Sequence, residues 1–189
     1  MKHFSPATVR ILLAISMALL VAAPFVLYPQ FLIEILCFAL LAAALNLLVS
    51  YCGLLSFGHA MFFGAAGYAT AHSIKMWGFD PALGILLGVG LAAVIGALTG
   101  SLAIRRQGIY FSMITLAFSQ LVYFMALRMP FTGGEDGLQD VPRRAMFGFI
   151  NMGNNYVMYF VVLALTAFGF FAIYRIVNSP FGQVLKAIR

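Results

Sequence analysis

Two side chains capable of acid–base chemistry lie close together in a chain that is otherwise mostly apolar. Ser56 and His59 are neighbours in a short segment that also contains two glycines. A serine beside a histidine is the nucleophile and base of many hydrolases, but a third, acidic group must orient the histidine. The nearest acids, Glu34 and Asp80, are far away along the chain. We therefore expect no catalysis at this pair, and we expect that the chain is not an enzyme.

The chain also lacks the motifs of nucleotide hydrolysis and metal binding. No Gly-x-x-x-x-Gly-Lys-[Ser/Thr] segment is present, so ATP hydrolysis is not expected from this chain. No His-Glu-x-x-His motif and no Cys and His cluster at metal-ligand spacing occurs, so we predict no metal and no cofactor. Cys37 and Cys52 lie in or beside apolar segments and are interpreted as packing residues. All carboxylates lie at the ends of apolar segments or between them, which argues against an autonomous proton-driven pump.

The segment from Gly53 to His59 interrupts two apolar runs. Irregular backbone at membrane depth must be shielded by protein or line a wet cavity, because unpaired backbone groups are costly in lipid. A glycine-rich break between apolar helices therefore indicates a passage or binding region, with Asn46, Ser56 and His59 as its predicted lining. A tight cytoplasmic turn explains the same residue types equally well, and His59 also fits a buried histidine with satisfied ring nitrogens.

A second polar pattern lies in the apolar run that begins at Ile109. Ser112, Thr115 and Ser119 are spaced i, i+3 and i+7, which places them on one face of a helix. Hydroxyls in membrane helices often bond the carbonyl one turn earlier, and this explains the pattern without a functional role. The alternative, which the residue types support equally, is that the three hydroxyls line a pathway.

A third pattern consists of small residues that recur every four positions. They are Gly84, Gly88, Ala92, Gly96 and Gly100. Small residues at this spacing let a second helix approach closely in a membrane. The pattern therefore predicts a helix packed deep in a bundle.

The composition identifies lipid as the solvent for most of the chain. Of its 189 residues, 63% are hydrophobic and only 8% are charged, and the mean hydropathy is +1.02, whereas soluble proteins have about 25% charged residues. The net charge of +6 comes from few, scattered basic residues, so we expect no nucleic-acid partner. We predict an all-α, polytopic transmembrane helical bundle in the lipid bilayer, with residues 1–189 forming a single transmembrane domain.

Apolar runs of sufficient length predict about six spans. They lie at approximately residues 11–28, 31–50, 59–77, 82–104, 109–127 and 156–177. Residues 128–155 are predicted to form one structured outer loop with short interfacial helices, and residues 178–189 begin a cytoplasmic segment. A cleavable signal peptide is the alternative for the first run, but Pro24 and the unbroken apolar run to Tyr28 favour an uncleaved anchor.

The basic residues favour a cytoplasmic N-terminus. With that orientation most Lys and Arg residues lie inside, among them Arg105 and Arg106, as the positive-inside rule requires. The end of the chain is amphipathic, with Phe181 and Leu185 on one helical face and Lys186 and Arg189 on the other. Such a segment either lies on the membrane surface or docks a partner.

Seven segments together carry a family resemblance. They are Leu45–Leu48 (LNLL), Gly53–Ala60 (GLLSFGHA), Phe63–Tyr68 (FGAAGY), Gly108–Phe111 (GIYF), Ile114–Phe118 (ITLAF), Thr132–Leu138 (TGGEDGL) and Ser179–Arg189 (SPFGQVLKAIR). In these segments the chain resembles the permease subunits of branched-chain amino acid ABC importers, and in particular their M-type subunit. Residues 1–44 match in hydropathy only. Because the family continues past the Ala-Ile-Arg, the resemblance implies that the chain is a fragment or a truncated product.

The resemblance implies a multi-pass permease subunit for hydrophobic, branched-chain amino acids in the bacterial inner membrane. The implied partners are a second homologous permease subunit, two cytoplasmic ATP-binding subunits and a periplasmic substrate-binding protein. In such a system ATP binding closes the ATPases and a coupling segment transmits the movement. Phe181, Leu185, Lys186 and Arg189 are the implied contacts of that segment with the ATPases.

Other functions remain open on the sequence. Related permeases for urea, short amides or sugars share the fold and much of the Gly-Leu-Leu-Ser region. A non-transport membrane scaffold fragment fits the short chain. An intramembrane enzyme that uses Ser56 is a third class, and Ser56→Ala abolishing turnover of a substrate is the result that it predicts.

Overall fold

The structure is a computed structural model that describes residues 15–106, 108–180 and 182–184. Its described part is a helical bundle with one two-stranded ribbon. The helices are α1 (Ile15–Phe25), α2 (Pro29–Leu47), α3 (His59–Lys75), α4 (Pro81–Ala103), α5 (Ile109–Arg128) and α6 (Asn155–Val177). The ribbon pairs β1 (Ala145–Met146) with β2 (Ile150–Asn151) in antiparallel fashion.

The predicted all-α membrane bundle is confirmed. Within the described ranges, four helices are long and apolar enough to cross a membrane, namely α2 with its final turn to Cys52, α4, α5 and α6. α3 has 17 residues, which corresponds to about 26 Å and is a little less than a hydrocarbon core of about 30 Å. The number of crossings and the cytoplasmic N-terminus stay predictions.

Two helices, α4 and α6, begin where a side chain satisfies one of their first backbone N–H groups. Asp80 precedes Pro81 and accepts a hydrogen bond from the N–H of Ala82 through Oδ1 at 2.8 Å. Asn154 does the same for the N–H of Tyr156 at 3.0 Å. Both are N-cap residues, which supply acceptors to donors that have no partner inside the helix.

The first packed group joins α1, α2 and α6. Its buried core contains Leu32, Ile33, Leu36, Tyr159 and Leu163. The Tyr159 side chain is fully buried, and its hydroxyl donates to the α1 carbonyl of Leu20 at 2.6 Å. This bond joins α6 to α1, and the buried residues of α2 belong to the same cluster.

The second packed group joins α3, α4 and α5. Contacts pair Phe62 with Gly96, Ala66 with Gly88 and Ile74 with Gly84, so α3 and α4 run antiparallel. A Cβ at Gly88 would lie 2.6 Å from the Ala66 carbonyl oxygen. The backbones of α3 and α4 therefore approach each other more closely than any larger residue would allow.

The loop between α5 and α6, which the sequence predicts to be the outer loop, is folded back on the bundle. After α5 it forms two single 3₁₀ turns, Pro130–Thr132 and Gly134–Asp136, before the β1–β2 ribbon. The short helices that the sequence predicted here are these single turns. The ribbon was not predicted, because its strands are only two residues long.

Candidate functional site

The helix break, defined as residues 53–58, follows a π-helical turn at the end of α2. Leu48–Cys52 form a π-helical turn, and Gly53 closes it in the left-handed conformation at φ 67°. Glycine adopts this conformation without the steric cost that a Cβ would add. The chain stays irregular until α3 begins at His59.

The backbone of the helix break is bonded by hydroxyls of α5. Ser112 Oγ donates to the Leu55 carbonyl oxygen at 2.6 Å. Thr115 Oγ1 accepts from the Phe57 N–H at 3.2 Å and donates to the Ser112 carbonyl oxygen at 3.0 Å. The break thus has partners inside the protein, which is the condition for irregular backbone at membrane depth.

Ser56 is buried at this contact, with 5% of its surface exposed. Its Oγ accepts from the Gly58 N–H at 3.2 Å, which is a local turn bond. A Cβ at Gly58 would lie 3.5 Å from Thr115 Cβ and 3.3 Å from Met61 Cε. The structure therefore brings Ser56, Ser112 and Thr115 together, and all three hydroxyls are engaged with backbone groups.

His59 is half-buried at the first position of α3. Its ring lies edge-on to Phe62, with ring centroids 6.2 Å apart. Its Nδ1 is buried and has no hydrogen-bond partner within the described ranges. Among the same residues, no three His, Cys, Asp or Glu side chains are grouped as metal ligands would be.

Asn46 lies apart from these contacts. It is exposed on α2, and its Oδ1 accepts from Ser50 Oγ one turn later at 2.7 Å. Its recorded partner is therefore on its own helix and not in the helix break.

A large cavity of about 1040 Å³ lies between α3, α4 and α5, and we call it the α3–α5 cavity. Of the six predicted passage residues, only Ser119 lines it. We call the end of the cavity at Ala60 and Met61, directly after His59 in the chain, its inner end, and the opposite end its outer end. The break and the cavity are therefore neighbours, with His59 at their junction.

Most of the cavity wall is apolar, and a few polar side chains interrupt it. The polar ones near its middle and outer end are Tyr68, His72, Ser119, Gln120, Tyr123 and Thr132. Of these residues, Ser119 is the one that belongs to the predicted passage residues. The i, i+4 pairs Tyr68–His72 and Ser119–Tyr123 were the available signal, since residues at that spacing share a helix face.

Residues 129–147, which we call the outer segment, continue from α5 at the outer end of the cavity. Met129, Phe131 and Thr132 of this segment line the cavity. The His72 ring bonds the Phe131 carbonyl oxygen through Nδ1 at 3.0 Å and packs edge-on against Trp77. The hydrogen bond therefore attaches the outer segment to α3.

Three more bonds fasten the outer segment to the turn between α3 and α4. Lys75 Nζ donates to the Gln139 carbonyl oxygen at 2.5 Å. Arg144 donates to the carbonyl oxygen of Gly78 at 3.2 Å.

The third bond comes from the N-cap of α4. Asp80 uses Oδ2 to accept from the Phe147 N–H at 2.7 Å, while its Oδ1 caps the helix. One carboxylate therefore holds both α4 and the outer segment.

The stripe of small residues divides into two halves. Gly84 and Gly88 lie against α3, whereas Gly96 has only the Phe62 ring at 3.8 Å and Gly100 has no neighbour within 4 Å of an added Cβ. Ala92 between them is half-buried. Close helix approach is thus confined to the end of α4 near Asp80.

The predicted coupling residues Phe181, Leu185, Lys186 and Arg189 lie outside the described residues. Their role stays a prediction from the sequence.

Comparison with known proteins identifies one matching family and two relatives. The sequence model of the family described as branched-chain amino acid transport system / permease component matches residues 27–189. The high-affinity branched-chain amino acid transport system permease protein LivM of Escherichia coli (strain K12) is 27% identical over 180 residues, and so is the LivM protein of Salmonella typhimurium (strain LT2). Each alignment covers 80% of this chain and 41% of the relative, so the chain spans about two fifths of the relatives' length. No solved structure matches the chain significantly.

Proposed function

Since the chain belongs to the family of branched-chain amino acid transport permeases, we propose that it is a permease subunit of an ATP-driven importer of such amino acids. It crosses the bacterial inner membrane several times and forms part of the translocation pathway. It works with a second homologous permease, two cytoplasmic ATP-binding subunits and a soluble substrate-binding protein. ATP hydrolysis takes place on the partners, and this chain performs no covalent chemistry.

One observation carries this proposal beyond family membership, namely that the α3–α5 cavity ends at the helix break. A transported solute needs an internal cavity with some hydrogen-bonding groups at membrane depth and an irregular backbone segment that is able to change shape. The cavity supplies the first, and the break beside Ala60 supplies the second.

Within this proposal the six passage residues have two roles. Ser112 and Thr115 hold the break against α5, because their hydroxyls bond its backbone groups, and Ser56 closes a local turn inside the break. Ser119 lines the cavity, and His59 lies where the cavity meets the break.

Asn46 stays a predicted passage residue on α2, with Ser50 as its hydrogen-bond partner. The passage then runs from the α3–α5 cavity past His59 toward the break.

The test of the proposal is uptake by the full-length protein. Cells that lack their own high-affinity leucine uptake should accumulate radiolabelled L-leucine when they express it together with its ATP-binding, permease and soluble binding partners. Lysine and urea serve as comparison solutes. Uptake of urea in place of leucine, or purification of the protein in mild detergent without an ATPase, would contradict the proposal.

His59→Leu sharpens the test at the junction. The variant keeps the size of a buried side chain but loses the ring nitrogens, so leucine uptake should fall while the amount of ATPase that co-purifies stays unchanged. Unchanged uptake would remove His59 from the passage and leave the family-based proposal standing.

A further inference from the structure

We infer that the α3–α5 cavity is a solute-binding chamber that selects for an apolar body and against net charge, so that this chain itself contributes to selectivity. The inference rests on the proposed function, because it places the solute of the importer in a named part of this chain.

The charge preference follows from the cavity wall. No Asp, Glu, Lys or Arg side chain among the described residues lines the cavity. Of the imidazole groups, only His72 is present, and its Nδ1 is bonded to the Phe131 carbonyl oxygen. A solute with net charge would lose its hydration there without gaining an opposite charge. A zwitterion, whose two charges partly compensate each other, is accommodated by neutral hydrogen-bonding groups.

The polar groups of the chamber have free hydrogen-bonding capacity. In the part of the chain that the structure describes, no hydrogen bond to another residue engages the side chains of Tyr68, Ser119, Gln120 or Tyr123. They offer hydroxyl and amide groups from two facing helices, α3 and α5. A few polar groups that converge on an apolar pocket are the usual arrangement for orienting a small ligand.

The apolar side of the chamber is built by α4. Leu87, Leu91 and Ile95 repeat every four residues along the wall. Met61 and Met125 complete it from α3 and α5, and methionine side chains adapt to ligands of different shape. The chamber therefore matches solutes that have an aliphatic side chain at one end and hydrogen-bonding groups at the other.

The experiment uses the full-length protein assembled with its partners in membrane vesicles. Ala65, which lines the chamber, is replaced by cysteine in a background where Cys37 and Cys52 are alanine. Reaction with a small, water-soluble thiol reagent is then timed with and without L-leucine. Ala145→Cys is the matched control, because Ala145 is exposed in β1 outside the membrane-spanning helices and does not line the chamber.

Leucine at about ten times its dissociation constant should slow labelling of Ala65→Cys about tenfold, because only the empty chamber reacts. L-lysine and L-glutamate should give no protection, and Ala145→Cys should react at the same rate with every solute. Adding Gln120→Leu should weaken the protection by leucine without changing the labelling rate in its absence, which a merely structural role for Gln120 would not produce.

Two results would overturn the inference. One is protection by lysine as strong as that by leucine. The other is a lack of leucine protection, including the case in which Ala65→Cys does not react because protein fills the chamber. If leucine uptake persists in either case, only this inference fails. Loss of uptake in the unmodified protein would instead contradict the proposed function.

Discussion

The helix break and the α3–α5 cavity are neighbours that use polar side chains in opposite ways. At the break, the hydroxyls of Ser56, Ser112 and Thr115 all bond backbone groups. One turn further along the same face of α5, Ser119 has no hydrogen-bond partner in the described part of the chain and lines the cavity. On one face of α5, the hydroxyls of Ser112 and Thr115 are therefore structural, whereas the hydroxyl of Ser119 is open to a solute.

The comparison separates polarity that holds a fold from polarity that can bind a ligand. A hydroxyl already bonded to the backbone contributes to stability, because its loss leaves a buried partner unsatisfied. A hydroxyl without a protein partner contributes little to the fold and is available to another molecule. The same residue type thus predicts different phenotypes on the two sides of Thr115.

The largest effect is expected at Gly88, where α4 packs closely against α3 and so supports both the break and the cavity. In Gly88→Val the added carbon would meet the Ala66 carbonyl oxygen and Thr70 Oγ1. Overpacking of this kind costs about 1–3 kcal/mol or more, so the melting temperature and the amount of assembled protein should both fall. Gly90→Val is the matched control, since an added Cβ at Gly90 has no neighbour within 4 Å. Equal behaviour of the two variants would contradict the close approach of α3 and α4.

The next effect is expected at the break. Thr115→Val keeps the shape but removes the acceptor of the Phe57 N–H, which should lower the free energy of unfolding by about 1–3 kcal/mol. Thr99→Val is the control, because the buried Thr99 hydroxyl bonds only carbonyls of its own helix. Thermal unfolding in detergent measures the difference. A Thr115 variant no less stable than the Thr99 variant would remove the structural role assigned to this hydroxyl.

A smaller effect, on transport alone, is expected in the cavity. Ser119→Ala should raise the KM for leucine uptake about two- to tenfold, the equivalent of one neutral hydrogen bond, with the melting temperature unchanged. Ser101→Ala, whose hydroxyl bonds the Leu98 carbonyl oxygen outside the cavity, should change neither quantity. A stability loss in Ser119→Ala without a KM change would show that the comparison between break and cavity is wrong.

The smallest effect is expected in the outer segment. Lys75→Ala removes the bond to the Gln139 carbonyl oxygen, which for an exposed charged group is worth about 1 kcal/mol or less. The outer segment should become more sensitive to limited proteolysis while the melting temperature hardly changes. Arg128→Ala, a comparable loss of an exposed basic side chain, should leave the cleavage rate as it was.

Much of the architecture could be predicted from the sequence, because apolar runs and the glycines between them report on local structure. The break at Gly53 and the shared face of Ser112, Thr115 and Ser119 followed from residue types and spacing. The partners of these hydroxyls did not, since Leu55 and Phe57 lie more than fifty positions away in the chain.

The cavity could not be predicted for a related reason. Its volume depends on how far α3 and α5 stand apart, and no single helix encodes that distance. In the sequence, Tyr68 and Gln120 are therefore indistinguishable from ordinary polar residues of separate helices. The structure shows that both line the same cavity. The outer segment was predicted as a loop, but its attachment through Asp80 depends on a contact that is local to neither element.

The central claim is that the polar groups of the break form hydrogen bonds within the protein, whereas those of the cavity are available to a solute. The most direct test compares single cysteines at Ser56 and Ser119 in the assembled full-length transporter at rest. Ser119→Cys should react readily with a water-soluble thiol reagent and be protected by leucine, whereas Ser56→Cys, at a site only 5% exposed, should react far more slowly. Faster labelling at Ser56 than at Ser119, or leucine protection at Ser56 alone, would contradict the account.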